Sequence, residues 1–301
     1  MSSSITAPSR RPARPRYWPW RDRQGRLSPL KSLVLLGACL PAMFIGYWWL
    51  NGDLGPRAVN AAIHLTGLWA VRFVLLSLAV TPARLVFDRP RVVLVRRMLG
   101  VTAAAYAVVH LGLYIVEMNF NLLEVVLEII RRFYLTIGFV TLIGLVALGA
   151  TSTDAAVRWM GRGWKRLHWS IYGIGVLMLL HHFLQAKAGV SAAVFVAGLF
   201  VWLMLWRVLP ASRQASPWAL TGLAVAAGLL TAGLEFAWYA LATRINPWRV
   251  LAANLDVTFG PRPAEWVAIS GLGVVVLCLL SRLPVWLSRR QPGEGQGSSA
   301  P

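Results

Sequence analysis

The chain has 301 residues, 57% of them hydrophobic and only 14% charged, with a mean hydropathy of +0.60 and a formal net charge of +19. A soluble domain of that composition would expose large apolar patches, so lipid is the solvent for most of the surface. The fold class expected is an all-α integral membrane bundle of eight transmembrane helices, because apolar runs of about 20 residues are what a helix needs to cross the hydrocarbon.

Residues 1–32 read as a basic, disordered cytoplasmic tail, with Arg10, Arg11, Arg14 and Arg16 among prolines and serines. Arg10-Arg11 is no twin-arginine signal, because the apolar region begins about twenty residues too late. Candidate spans then follow at 33–50, 60–80, 98–117, 133–150, 168–186, 191–208, 217–240 and 265–284. The first six lie over 33–208, 209–288 adds two helices, and 289–301 reads as a second disordered tail. No loop is long enough for a catalytic or nucleotide-binding domain of about 100 residues. Cys39 and Cys278 lie inside apolar spans and imply no disulfide framework; the chain has no Cys-x-x-Cys-His, which excludes c-type haem attachment.

The charge distribution sets the topology. The two tails and the loops on their side carry 22 of the 30 Lys and Arg residues, and the alternate loops carry 7. The positive-inside rule therefore puts both termini in the cytoplasm. Topology and contact with anionic membrane lipid account for the basic charge, so nucleic acid is not an expected partner.

Ionisable groups inside spans are costly and are read as functional candidates. They are His64 and Arg72 in the second span, His110 in the third, His168, His181 and His182 in the fifth, and Glu235 in the seventh. All five histidines lie in spans. With a rise of about 1.5 Å per residue, His110 and His181 reach the same depth in the outer half, and His168 lies at the cytoplasmic edge, about 20 Å below His181. Two neutral imidazoles on facing helices are what six-coordinate haem iron needs. The alternative for each is a core histidine bonded to a backbone carbonyl, or a proton relay in a cofactor-free transporter.

His182 points about 100° away from His181 around the helix and reads as a packing or hydrogen-bonding residue. Arg72, two turns beyond His64, suits a haem propionate or quinone oxygen, or else a carbonyl contact. Arg96 and Arg97 suit propionate or flavin phosphate at the cytoplasmic mouth, where topology alone would also place them. Glu235 suits a quinone site or packing. Gly173, Gly175, Gly271 and Gly273 read as close helix contacts.

Several motifs in order carry a family resemblance. They are Ala62-Ile63-His64-Leu65-Thr66-Gly67, Thr81-Pro82-Ala83-Arg84, Arg96-Arg97-Met98-Leu99-Gly100 and His110-Leu111 with Tyr114, followed by Arg132-Phe133-Tyr134-Leu135-Thr136-Ile137-Gly138, Ala150-Thr151-Ser152-Thr153 and Trp164-Lys165-Arg166-Leu167-His168 ahead of His181. Over residues 33–208 the chain resembles the MsrQ or YedZ family, the haem-binding membrane subunits of the periplasmic methionine-sulfoxide reductase system within the ferric-reductase-like superfamily. The resemblance implies haem b, in one or two copies, with His110, His168 and His181 at haem-associated positions and His64 at a further matching one. It also implies residence in the bacterial inner membrane, an associated FMN, electrons from a cytoplasmic flavin reductase or the quinone pool, and delivery to a soluble periplasmic molybdopterin subunit. A ferric or cupric ion reductase of the same superfamily is the alternative. Two departures stand out. Arg97 occupies the place, thirteen residues before His110, where superfamily members with two stacked haems carry a second histidine, and the last two spans exceed the family's six-helix unit.

Overall fold

The structure, a computed structural model, describes Trp20 and residues 26–186, 189–256, 258 and 260–289, with side chains considered up to Leu283. Among the described residues there is no strand, and eight helices are long and apolar enough to cross a membrane. Where no water reaches the backbone, a helix satisfies the N–H and C=O groups of such apolar runs internally.

The chain forms α1 (Pro29–Leu50), α2 (Ala58–Val86), α3 (Arg96–Glu117), α4 (Leu122–Arg131), α5 (Phe133–Ala150), α6 (Asp154–Met160), α7 (Arg162–Trp169), α8 (Ile171–Gln185), α9 (Ser191–Val208), α10 (Pro217–Ala242), α11 (Pro247–Ala253) and α12 (Pro263–Arg289). α5 and α9 coincide with the expected spans. The stretch 81–97, read as a loop, is instead the end of α2, a 3-10 segment over Pro90–Val95 and the start of α3. The stretches 118–132, 151–167 and 241–264 likewise contain the short helices α4, α6, α7 and α11. The fifth span is interrupted at Ser170, so His168 sits in α7 while His181 sits in α8. Most of the tail expected over 1–32 lies outside the described residues, as do residues 290–301.

Prolines inside two helices are accommodated by side chains from neighbours. Pro82 has no N–H to offer the Leu78 carbonyl one turn earlier, and Arg207 of α9 supplies the missing donor, its Nη2 lying 2.7 Å from that oxygen. Sequence reading stopped the second span near residue 80 because this long-range compensation is not local information. Around Pro41 of α1, the Tyr106 hydroxyl donates to Ala38 O at 2.9 Å and accepts from Ala42 N at 2.9 Å, pinning α1 to α3.

α2 and α9 are the most deeply packed spans; α2 lies against α3, α5 lies against α8, and α3 meets α5. α9 joins this four-helix core to α10 and α12. Of the glycines expected at helix contacts, Gly175 abuts Phe200 and Gly271 abuts Ala224, whereas Gly173 and Gly273 face open space. Cys278 is buried as expected, but Cys39 is exposed on α1.

Candidate functional site

The helix pairs α2–α3 and α5–α8 enclose a cavity of about 260 Å³. Its wall is apolar along Leu68, Leu111, Leu142 and Leu145, and Ile129 of α4 closes part of it. Polar side chains reach the lining from His64, His110, Tyr114, Thr141, His181, His182 and Gln185.

His110 and His181 face one another with ring centroids 6.4 Å apart and planes at 88°. The Nδ1 of His110 lies 2.8 Å from Ile63 O on α2, and the Nδ1 of His181 lies 2.8 Å from Tyr134 O on α5. A carbonyl oxygen can only accept, so each Nδ1 carries the proton and each Nε2 keeps its lone pair. That is the tautomer a metal needs. An iron atom about 2 Å from each Nε2 would hold the two centroids roughly 6.3 Å apart. The observed separation matches. Among the described residues no group of three or more His, Cys, Asp or Glu converges on a metal position. A pair of imidazoles is a complete ligand set only when a macrocycle supplies the other four donors, and the apolar cavity around the pair suits a porphyrin.

The two histidines are held in matching ways. Each bonds to a carbonyl 47 residues before it. His181, Gly138 and Tyr134 each stand 71 positions after His110, Gly67 and Ile63 respectively. A Cβ built on Gly67 would come within 2.9 Å of the His110 ring, and one on Gly138 within 2.6 Å of the His181 ring. Only glycine leaves room for the imidazoles where they lie. Nothing local to either glycine marks its role; the 71-residue register relating the two segments is the sequence signal that points to both.

The remaining candidates separate into those the fold brings to the cavity and those it does not. His64 lines it, its Nδ1 bonded to Asn60 O at 2.8 Å. His182, read as a packing or hydrogen-bonding residue, also lines it, and its Nε2 is buried without a hydrogen-bond partner. A 100° turn away from His181 removes a residue from the shared iron but not from a cavity this wide. Arg72 is not among the lining residues; its guanidinium lies 4.6 Å from the centroid of the Trp69 ring, a cation–π contact. His168 lies apart, stacked on Trp164 at 3.8 Å and bonded to Trp164 O at 3.1 Å, with Ser152 Oγ 3.4 Å away. Arg97 pairs with Asp154 at 2.6 Å, and Arg96 reaches Thr81 Oγ1 at 3.5 Å. Glu235, 1% exposed, pairs with Arg262 at 2.8 Å and accepts from Asn254 at 3.3 Å, so it ties α10 to α11 and to the start of α12, away from the cavity. At the end of α4, Arg132 bonds the Tyr134 hydroxyl at 3.1 Å and pairs with Glu128; the hydroxyl contact pushes the guanidinium further up from its already high pKa.

Comparison with known proteins fixes the family. The model of the ferric reductase like transmembrane component matches residues 66–180. The protein-methionine-sulfoxide reductase heme-binding subunit MsrQ of Xanthomonas euvesicatoria pv. vesicatoria is 38% identical over 185 residues, which cover 59% of this chain and 85% of that protein. The proteins of the same name from Rhodospirillum rubrum and Caulobacter vibrioides are 36% and 35% identical, covering 92% and 96% of their own lengths and 64% of this chain. The chain belongs to the MsrQ family. No solved structure matches it. More than a third of the chain lies outside each of these alignments.

Proposed function

We propose that this MsrQ-family protein is a haem b electron-transfer subunit of the bacterial inner membrane. On this reading it carries electrons from a cytoplasmic flavin reductase or quinol to a periplasmic molybdopterin enzyme that reduces methionine sulfoxide in oxidised proteins. The supporting observation is the His110–His181 pair, two proton-fixed imidazoles at the separation a shared iron requires. The names of the relatives support it too, since each is called the heme-binding subunit of such a reductase. Haem held there supplies a one-electron couple between ferric and ferrous iron.

The residues divide the work. His110 and His181 would hold the haem iron, and Ile63 O and Tyr134 O hold their tautomers. The apolar wall excludes water, and His64 provides a polar edge near the start of α2. At the other level His168 is a single imidazole, with no second imidazole facing it among the described residues. A second haem at that level would have His168 as its one histidine ligand. An FMN phosphate at the Arg96 and Arg97 face would compete with Asp154 for Arg97 and with Thr81 for Arg96. With both termini cytoplasmic by the charge bias, the outer end carries His64, Tyr114 and Gln185, and the catalytic partner would receive electrons there.

The test is electron delivery from the purified protein in lipid vesicles. Dithionite-reduced protein should be reoxidised by a periplasmic molybdopterin reductase plus a methionine-sulfoxide substrate, and the His181→Ala variant should not be. Reoxidation only by ferric or cupric complexes would favour a metal-ion reductase, and a colourless protein would leave a cofactor-free transporter.

A further inference from the structure

We propose that Gly67 and Gly138 are paired positioning residues, which uncover one helix carbonyl each and thereby fix the planes and basicity of the two imidazoles. The proposal deepens the haem reading above and rests on it for its electronic consequences, though not for its geometry.

In an α-helix the carbonyl of residue i accepts from the N–H of residue i+4, and side chains lean toward the N-terminus over the preceding turn. The side chain at i+4 therefore helps cover the second lone pair of carbonyl i. Removing its Cβ opens that oxygen to a donor from the next helix. Ile63 and Gly67 are separated by four residues, and so are Tyr134 and Gly138. At both places the exposed carbonyl takes the Nδ1–H of a histidine at 2.8 Å.

The contacts say what each glycine is for. Around Gly67 the nearest atoms to a built Cβ are Nδ1, Cε1 and Cγ of His110, at 2.9, 3.0 and 3.8 Å. Around Gly138 they are Cε1, Nδ1 and Nε2 of His181, at 2.6, 2.7 and 3.1 Å. Elsewhere the tight glycines face other groups: Gly144 meets Ile174, Gly175 meets Phe200, and Gly271 meets Ala224. Those are helix-packing glycines. Gly67 and Gly138 make room for imidazole, and the identical register in the two helix pairs repeats the device.

The consequence for a bound iron follows from the two bonds. A carbonyl accepting from Nδ1–H makes the imidazole a stronger electron donor, which favours ferric over ferrous iron and lowers the reduction potential. The direction of the carbonyl also fixes the rotation of the ring about its metal bond, and the two carbonyls together set the 88° angle between planes. An alanine at either position must rotate the ring off its carbonyl or push the helices apart. Either movement weakens the bond, so the potential should rise.

The test uses the full-length protein purified in detergent, with Gly67→Ala, Gly138→Ala and, as a control, Gly112→Ala, where nothing lies within 4 Å of a built Cβ. Redox titration and low-temperature EPR should show an upward shift in potential and an altered g-anisotropy in both cradle variants. The shift should be greater at Gly138, where the contacts are shorter, and absent at Gly112. Unchanged potential and EPR in a Gly138→Ala protein that keeps its haem would overturn the proposal. If a cradle variant loses haem outright, thermal unfolding of the haem-free proteins decides. Gly138→Ala should lower the melting temperature with His181 present and lower it far less in a His181→Ala background, because the clashing ring is gone. An equal loss in both backgrounds overturns the cradle. That cycle reads the contact alone, so failure of haem ligation by His110 and His181 would show separately, as a haem spectrum that survives their replacement.

Discussion

The pair α2–α3 and the pair α5–α8 are built on one plan at one level of the molecule and differ at the other. At the cavity level each supplies a histidine, a carbonyl and a glycine in the same register, 71 positions apart. At the opposite level the register puts Arg97 where the second pair has His168, and Arg97 is bound to Asp154 while His168 stacks on Trp164. The helices diverge there too. α2 continues through Pro82 because Arg207 satisfies Leu78 O, whereas the corresponding position in the second pair, Thr153, caps the N-terminus of α6 with its side chain on Ala156 N at 3.1 Å. The duplicated level holds two convergent imidazoles; the divergent level is given over to surface contacts and helix ends. A symmetric site requires symmetric support, and only one level has it.

Breaking the shared level should have the largest effect. His110→Ala and His181→Ala should each remove the haem of the cavity, read as the haem-to-protein ratio of purified protein, while His168→Ala should leave that haem in place. A next, smaller effect lies outside both pairs. Arg262→Ala strands the buried Glu235 carboxylate and should cost about 3 kcal/mol in thermal unfolding, the range for a broken buried pair. Because the Glu235 cluster stands apart from the cavity, the haem spectrum should not move; a changed spectrum would tie the appended helices to the site. Arg207→Ala should cost roughly 1–2 kcal/mol by leaving Leu78 O unpaired. In a Pro82→Ala background, where the helix supplies its own N–H, the same replacement should cost clearly less, so a double-mutant cycle with no coupling would contradict the role given to Arg207. The smallest effect belongs to Arg97→Ala, since both partners of the Arg97–Asp154 pair are about half exposed and such pairs contribute under about 1 kcal/mol.

Much of this was legible in the sequence, for identifiable reasons. Apolar runs of membrane-spanning length located all eight long helices, because in lipid length and hydropathy nearly dictate the element. Matched depth identified His110 and His181, since rise per residue is fixed within a helix. Depth does not reveal which way a ring turns, so the Ile63 and Tyr134 carbonyls and the two glycines behind them emerged only with tertiary packing. The same limit applies to Arg72, whose side chain stacks on Trp69, and to His182, which lines the cavity although it points away from His181. Polar stretches hid helices α4, α6, α7 and α11, which are too short or too charged to announce themselves by hydropathy. Glu235 was visible as a costly buried charge, but its partner Arg262 lies 27 residues away across a loop, and no local pattern connects them.

The central claim is that His110 and His181 ligate one iron with perpendicular ring planes. Low-temperature EPR of the oxidised, purified protein tests it most directly. The account predicts a six-coordinate, low-spin ferric signal of the strongly anisotropic kind that crossed imidazole planes produce, lost on replacing either histidine. A high-spin signal from a five-coordinate iron, or a low-spin signal unchanged in both His110→Ala and His181→Ala, would contradict it.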